Sequence, residues 1–310
     1  MRRILTASVL LALLGIHASA WLQRPTFRSR TDLVVLSVAV TDKSGAFVPA
    51  LPKDAFTVRQ DGRSQPITQF REGSAPVRVV MAVDASHSMQ GRRIEMARLA
   101  VLKFIDRLGP DDQLRVIGFN DNVFPVTDWT ADRAVVAQAM ARMQPLGATA
   151  LYDAVVAGVE ELRADDERRQ ALVIVSDGND VVRVSTPLGG DELTGGRVAP
   201  ERERRAMEGV DLLRLSDTLA YAIATGGASE RPDTVSLKRF TDPTGGYTRN
   251  VSTPAEATAG VEQIAKELRA QYVIGFDPAG KPDGKFHKVD VSVTGCACIA
   301  RTRNGFVAVK

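Results

Sequence analysis

The stretch Val79-Val80-Met81-Ala82-Val83-Asp84-Ala85-Ser86-His87-Ser88-Met89 decides the fold. It begins as an uninterrupted apolar run, which is typical of a strand buried on both faces of a parallel sheet. The run ends at Asp84, and two hydroxyls follow at Ser86 and Ser88. In open α/β sheets, ligands bind at the edge formed by the carboxyl ends of the strands. Because these three side chains offer only oxygen, we expect them to suit a hard cation such as Mg2+ better than zinc or copper.

Two later segments carry polar residues in a comparable setting. One is Gly147-Ala148-Thr149-Ala150-Leu151-Tyr152-Asp153, and the other is Val173-Ile174-Val175-Ser176-Asp177-Gly178. Together with the D-x-S-x-S pattern, and in this order, they resemble the metal-ion-dependent adhesion site of von Willebrand factor type A domains. The resemblance covers roughly residues 76–270. One departure is His87, where the family usually has glycine.

The resemblance implies a role for five residues. Ser86, Ser88 and Thr149 would contact Mg2+, or another divalent cation such as Mn2+, through their hydroxyls. Asp84 and Asp177 would act directly or through water. One position on the metal would stay open for an Asp or Glu of a protein ligand. We therefore expect an adhesion or scaffolding module that is not an enzyme and has no catalytic residues.

Other interpretations of these residues stay open. Ser86 or Ser88, taken singly, would be an ordinary turn or cap residue, because serine favours helix starts. A metal with an open position could also serve a hydrolase, by polarising a substrate or activating water. The sequence has no G-x-S-x-G, H-E-x-x-H or phosphate-loop motif that would favour an enzyme. A third hypothesis is a structural envelope protein whose metal site is vestigial. We interpret His87 as an exposed loop residue and Asp153 as a brace for the threonine loop.

Residues 1–20 are typical of a secretory signal peptide. Arg2 and Arg3 precede an apolar core over residues 4–16, and Ala18-Ser19-Ala20 is a small-residue cleavage site. An uncleaved anchor is the alternative, although the apolar core is short for a span of about 20 residues. We therefore expect an exported protein, periplasmic or secreted, that is cleaved near Ala20.

The composition argues against a nucleic-acid partner. The chain has 310 residues, of which 44% are hydrophobic and 25% charged, as in an ordinary globular protein. Its formal net charge is +3, with 40 basic and 37 acidic residues, so losing Arg2 and Arg3 would leave +1. A basic patch large enough to bind nucleic acid would give a higher net positive charge.

The two cysteines, Cys296 and Cys298, are two positions apart. In a strand they would point to the same face, and a disulfide between them would be strained. We interpret them as small apolar side chains, with a redox or metal pair as the alternative. Oxidation stays possible because the chain is expected to be exported.

Strand and helix patterns alternate over residues 76–270, which predicts an α/β domain with a doubly wound, mostly parallel sheet of Rossmann-like type. The flanking residues 31–73 and 271–310 show only β patterns. Neither flank has enough strands to bury a core alone, so we predict that they pair into one small β-sandwich. Within the central domain, we expect a helix beginning at Thr149 and an irregular loop over residues 182–200.

Overall fold

The computed structural model describes residues 33–73, 76–163, 169–185, 191–195, 200–226, 231–280 and 282–308. The signal peptide predicted over residues 1–20 lies outside these ranges. The strands are β1 (Val34–Thr41), β2 (Phe56–Gln60), β3 (Arg63–Gln65), β4 (Ile67–Glu72), β5 (Val77–Asp84), β6 (Gln113–Phe119), β7 (Val123–Pro125), β8 (Arg169–Ser176), β9 (Val181–Ser185), β10 (Asp191–Gly195), β11 (Leu219–Thr225), β12 (Thr248–Val251), β13 (Tyr272–Phe276), β14 (Phe286–Val293), β15 (Ile299–Arg301) and β16 (Gly305–Val307). The helices are α1 (Arg92–Ile105), α2 (Arg133–Arg142), α3 (Leu151–Leu162), α4 (Pro200–Leu215), α5 (Thr234–Thr241) and α6 (Pro254–Ala270).

The central sheet is mostly parallel, as predicted. Within the described residues, six strands lie in the order β12-β11-β8-β5-β6-β7. Every neighbouring pair is parallel except β6 and β7. The register pairs Val83 of β5 with Val175 of β8, so these two central strands end side by side.

Helices cover both faces of this sheet because its strands are apolar on both sides. Val79, Met81 and Val83 of β5 pack on one face with residues of α1, α2 and α6. Val80 and Ala82 point to the opposite face, where they pack with residues of α3, α4 and α5. The doubly wound α/β class is therefore confirmed, and the sheet's carboxyl edge is held between two buried layers.

The terminal segments form a β-sandwich, as predicted. Among the described residues, one sheet has the order β15-β1-β13-β4 and the other β16-β14-β2-β3. The central strand β13 comes from the end of the chain and pairs antiparallel with β1 and β4 from its beginning. A positive-φ turn at Asp61-Gly62 joins β2 to β3, and the chain then crosses to the other sheet at Pro66.

The α/β domain is inserted between the two halves of the sandwich. The chain leaves the sandwich at Gly73 and returns at Gln271, where the Gly73 amide donates to the Gln271 carbonyl over 3.0 Å. The Arg169 guanidinium donates to the carbonyls of Gly73 and Gln271, at 3.2 and 3.4 Å. Below this junction, Glu267 of α6 is buried and accepts from Arg301 of β15 over 2.5 Å. These contacts tie the two parts of the molecule into one body.

Three local predictions are wrong. Part of the expected irregular loop over residues 182–200 is an antiparallel hairpin of β9 and β10. Helix α3 begins at Leu151, so Thr149 lies in the loop before the helix. Strand β15 was not predicted, because its three residues follow the Cys296–Cys298 segment without a clear alternation.

The cysteines are disulfide-bonded, which corrects their interpretation as small apolar side chains. Cys296 and Cys298 are joined with a Cα–Cα distance of 5.2 Å. They lie between β14 and β15, in a bend where Gly295 has a φ of 85°. The strand geometry that argued against the bond does not apply, because this segment is a bend.

No helix of the described ranges has the length and apolarity that a membrane span requires.

Candidate metal centre

Two buried carboxylates stand at the carboxyl edge of the central sheet. Asp84 is the last residue of β5 and Asp177 follows the last residue of β8, and their exposures are 0% and 2%. The hydroxyl of Ser176 donates to Oδ2 of Asp84 over 2.6 Å, joining the ends of the two strands. The same hydroxyl accepts from the amide of Gly178 at 2.9 Å, which fixes the turn that carries Asp177. The parallel register therefore brings together two acids that are 93 positions apart in the chain.

The loop after β5 presents two hydroxyls beside the acids. The Ser86 amide donates to Oδ1 of Asp84 over 2.9 Å, which bends the chain back towards the strand end. One 3-10 turn over His87–Met89 follows. The turn brings the Oγ atoms of Ser86 and Ser88 to 3.1 Å from each other. Ser86 is buried while Ser88 is exposed, so this pair of oxygens reaches from the interior to the surface.

The threonine loop lies against the serine loop through its backbone. The His87 amide donates to the carbonyl of Gly147 at 3.0 Å, and the Leu146 amide donates to the carbonyl of Ala85 at 2.8 Å. Gly147 has a φ of 84°, and a Cβ there would lie 1.9 Å from Oδ2 of Asp121. Glycine is favoured at this position by the positive φ, and any side chain there would also displace the Asp121 carboxylate.

Thr149 is buried and is held by the strand that follows Asp177. Its amide donates to the carbonyl of Val181 at 2.5 Å, and the Val181 amide donates back to the carbonyl of Thr149 at 2.9 Å. This bridge links the threonine loop to the segment after β8. The loops carrying Asp84, Thr149 and Asp177 are thus joined by hydrogen bonds at one edge of the sheet.

An aspartate and an arginine that sequence reasoning missed brace the threonine loop. Asp180 is buried, and its Oδ1 accepts from the Tyr152 amide at 3.1 Å in the first turn of α3. Arg202 of α4 donates to both oxygens of Asp180, at 2.8 and 2.7 Å. It also donates to Asp153 at 2.7 Å.

Helix α4 contributes a second arginine beside the site. Arg205 also bonds Asp153, at 2.8 Å. Asp153 thus accepts from two arginines of α4, whereas Asp180 accepts from the backbone at the start of α3. The sequence signal that could have revealed Asp180 is its position three residues after Asp177, which itself follows a buried strand.

The electrostatics of the edge favour a bound cation. Burial, together with the charge of Asp177, raises the pKa of Asp84 to about 7. The Arg93 guanidinium offsets part of this negative charge, since its Nη1 lies 3.5 Å from Oδ2 of Asp177 and donates to the Ser88 carbonyl at 2.8 Å. Two acids and one guanidinium leave a net charge of −1 when all are ionised.

His87 is exposed, as expected, and lies at the rim of the site. Its Nδ1 is 3.1 Å from Nε2 of Gln90, whose side chain also donates to the Pro145 carbonyl over 3.3 Å. The His87 side chain, which replaces the usual glycine, therefore lies beside the threonine loop at the surface. Its neighbour Leu146 is also exposed.

The donors at this edge are all oxygens. Asp84 and Asp177 supply carboxylates, and Ser86, Ser88 and Thr149 supply hydroxyls on loops that contact one another. In the ranges that the structure describes, no cluster of three or more His, Cys, Asp or Glu could hold a metal. Only two of the five expected ligands are acids, so any metal bound by them would depend on the hydroxyls as well.

Comparison with known sequences places the edge within one family domain. Residues 79–179 match the family model of the von Willebrand factor type A domain. The uncharacterized protein sll0103 of Synechocystis is 31% identical over 106 residues, which cover 33% of this chain and 25% of that protein. Inter-alpha-trypsin inhibitor heavy chain H4 of Homo sapiens is 29% identical over 127 residues, covering 36% of this chain and 13% of that protein. The match thus spans a quarter or less of either relative.

Solved structures share the fold. A von Willebrand factor type A structure from Catenulispora acidiphila matches with a TM-score of 0.52 and 15% identity, over 82% of this chain and 73% of that chain. The vWF domain of the type V pili tip protein Mfa5 from Porphyromonas gingivalis matches with a TM-score of 0.51 and 16% identity, over 62% of this chain and 95% of that chain. At these identities the likeness concerns the fold alone.

Proposed function

Because this chain contains a von Willebrand factor type A domain, we propose that it is an exported protein-binding module that captures a carboxylate of its partner through a divalent cation. The cation is Mg2+ or a similar ion such as Mn2+. Its ligands are the five side chains at the sheet edge: Asp84, Ser86, Ser88, Thr149 and Asp177. The partner supplies an Asp or Glu to the position that these residues leave open.

The observation that carries the proposal is the joining of three loops around two buried acids. The spacing of the serine hydroxyls supports a metal of this size. Adjacent ligands of an octahedral Mg2+ lie about 2.9 Å apart when the bonds are 2.0–2.1 Å long. The Oγ atoms of Ser86 and Ser88 are 3.1 Å apart. Little movement would be needed for both to contact one ion.

Charge supports the same proposal. Asp84 and Asp177 are almost wholly buried, and burying two carboxylates side by side costs free energy unless a cation compensates. A divalent ion would offset both the burial and the Asp177 charge that raise the pKa of Asp84. Neutral hydroxyls in the remaining positions would leave the ion electrophilic. Such an ion suits reversible capture of an external carboxylate.

The comparisons support a protein-binding role outside the cell. Mfa5 carries its vWF domain in a type V pili tip protein. We extend that setting to this chain together with the signal peptide expected over residues 1–20.

The test joins metal binding to partner capture. The mature chain would be titrated with Mn2+ by calorimetry and then used to capture proteins from an envelope extract with Mg2+ or with EDTA. We expect Asp84→Ala and Thr149→Val to lose Mn2+ binding and Mg2+-dependent capture together. Asp111→Ala is the matched control, because Asp111 is exposed and precedes β6 at the opposite edge of the sheet.

Each competing function has its own outcome. Equal capture with Mg2+, with EDTA and by Asp84→Ala would contradict the proposal and favour a structural envelope protein. Turnover of an ester or phosphoester substrate that needs Mg2+ and disappears in Asp84→Ala would instead favour a hydrolase. Mn2+ binding by Asp84→Ala as tight as that of the wild type would place the metal elsewhere.

A further inference from the structure

The first residues of α1 place a basic side chain over the candidate metal centre. A positive charge near a helix N-terminus is opposed by the helix dipole, so an arginine there normally points to solvent. Arg92 follows that rule and is exposed. Arg93 does not, because its guanidinium turns back over the serine loop and only 13% of its side chain is exposed. Its contacts with Ser88 and Asp177 contribute to holding it there.

Two contacts with other described residues place Arg93 at the edge. Its Nη1 donates to the carbonyl of Ser88 at 2.8 Å and lies 3.5 Å from Oδ2 of Asp177. Ser88 carries one of the two hydroxyls expected at the metal, and Asp177 is one of the two acids. The guanidinium therefore contacts two of the three loops that form the site. Both contacts involve groups whose position a metal ion would need.

We propose that Arg93 is a resident counter-cation that competes with the divalent ion for Asp177 and thereby sets the affinity of the metal centre. The inference rests on the proposed function, since it concerns the same site. In the metal-free chain the guanidinium compensates one of the two buried carboxylates. When the ion binds, two positive centres share Asp177, and their repulsion weakens metal binding.

The charge balance gives this arrangement a consequence for the partner. Asp84, Asp177 and Arg93 together carry −1, so a divalent ion brings the edge to +1. An incoming Asp or Glu side chain then makes it neutral. The metal-loaded site with Arg93 in place is therefore more attractive to an anionic ligand than the same site without it. Arg93 thus weakens the binding of the ion and strengthens the binding of the anionic ligand.

The experiment compares Arg93→Gln with Arg92→Gln in the mature chain. The two variants lose the same charge from adjacent positions of one helix turn, but only Arg93 reaches the site. We expect Arg93→Gln to bind Mn2+ about tenfold more tightly in calorimetry and to have a lower melting temperature in EDTA. Arg92→Gln should stay within about twofold of the wild type in affinity. Arg93→Lys, which keeps the charge, should lie between the wild type and Arg93→Gln.

The outcomes separate this inference from the proposed function. In one outcome the wild type binds Mn2+ while Arg93→Gln binds it equally or more weakly. That result would overturn the role of Arg93 and leave the metal centre supported. No Mn2+ binding by either protein would overturn both. Binding that is detected only in Arg93→Gln would support the competition in its strongest form. If Arg93→Gln does not fold, the affinity of Arg93→Lys decides, and a value equal to that of the wild type would contradict the intermediate affinity expected.

Discussion

The edge that carries Asp84 and the terminal β-sandwich are both assembled from distant parts of the chain, yet their interiors are opposite in kind. In the sandwich, Phe56 packs 4.9 Å from Tyr272 and 5.3 Å from Phe70, measured between ring centroids. At the edge, two carboxylates are buried, and the Arg93 guanidinium lies 3.5 Å from the carboxylate of Asp177. The sandwich gains stability from what it buries, whereas burying two neighbouring carboxylates costs the edge stability.

This contrast implies that stability and binding are located in different parts of the molecule. Changes in the sandwich should alter the free energy of unfolding and leave metal affinity alone. Changes at the edge should alter metal affinity, and some should also stabilise the metal-free chain. The two parts are nonetheless connected through Glu267, Arg301 and the junction at Gly73 and Gln271. Mutations can therefore measure how far the two properties are separate.

Phe276→Ala should have the largest effect on stability. Phe276 is fully buried in β13, and its ring centroid is 6.1 Å from that of Phe306. Removing a buried aromatic ring leaves a cavity and costs about 3–5 kcal/mol. Urea denaturation would measure the loss, and Phe286→Ala, at a 43% exposed position of the same sandwich, should cost much less. A folded Phe276→Ala chain with altered Mn2+ affinity would show that the sandwich governs the metal centre.

Asp84→Asn should stabilise the metal-free chain while abolishing metal binding. The pKa of Asp84 in the folded chain is about 7, above its ordinary value of 3.8. The folded state therefore binds a proton that the unfolded state has released, and stability falls as the pH rises from about 4 to 7. Asparagine removes this loss, so the variant should be more stable than the wild type in EDTA at pH 8, by about 2–4 kcal/mol. Asp111→Asn is the exposed control.

Urea denaturation at pH 5 and pH 8 would measure the effect of Asp84→Asn. The difference between variant and wild type should grow with pH in EDTA and shrink when saturating Mg2+ is added, because the ion stabilises only the wild type. A variant that is less stable than the wild type at pH 8 would mean that the buried carboxylate is compensated without a metal. The edge would then resemble the sandwich in gaining stability from the groups that it buries.

Periodicity was enough to predict most of the fold. The apolar stripe of Val261, Ile264, Ala265 and Leu268 is enough to predict helix α6, Pro254–Ala270. Strand β14, Phe286–Val293, is predictable because alternation continues along its length. The hairpin of β9 and β10 was missed because the segment is rich in glycine, which favoured an irregular loop.

The candidate site was predictable only where its residues follow strands. Asp84 and Asp177 end apolar runs, so the direction of a parallel sheet brings them to one edge. The sequence alone did not reveal Asp180 and Arg202, because their bond joins a loop to a helix more than twenty positions later. Nor did it reveal Arg93, whose sequence neighbour Arg92 has the same charge and points away. The orientation of a long side chain depends on tertiary contacts that no local pattern encodes.

His287 should give the sandwich a small loss of stability with rising pH. The direction is the same as for Asp84, but the cause is attraction to carboxylates rather than burial of one. Its Nδ1 lies 2.8 Å from Asp61 and its Nε2 lies 3.2 Å from Asp283, and these carboxylates raise its pKa above 6.5. The stabilisation is fully present below pH 6.5 and is lost as the pH rises through the folded pKa. Because both acids are partly exposed, we expect less than about 1 kcal/mol.

The His287 effect can be isolated by comparing the wild type with His287→Gln in urea at pH 5.5 and pH 8.5. The advantage of the wild type over the variant should shrink as the pH rises, while the contribution of Asp84 cancels because both proteins retain it. His87→Gln is the control, since the described partner of that ring is Gln90 rather than a carboxylate. If the wild type keeps a constant advantage at both pH values, His287 stabilises by stacking on Phe306 and not by charge. The sandwich would then owe its stability to packing alone, and the contrast with the edge would be sharper.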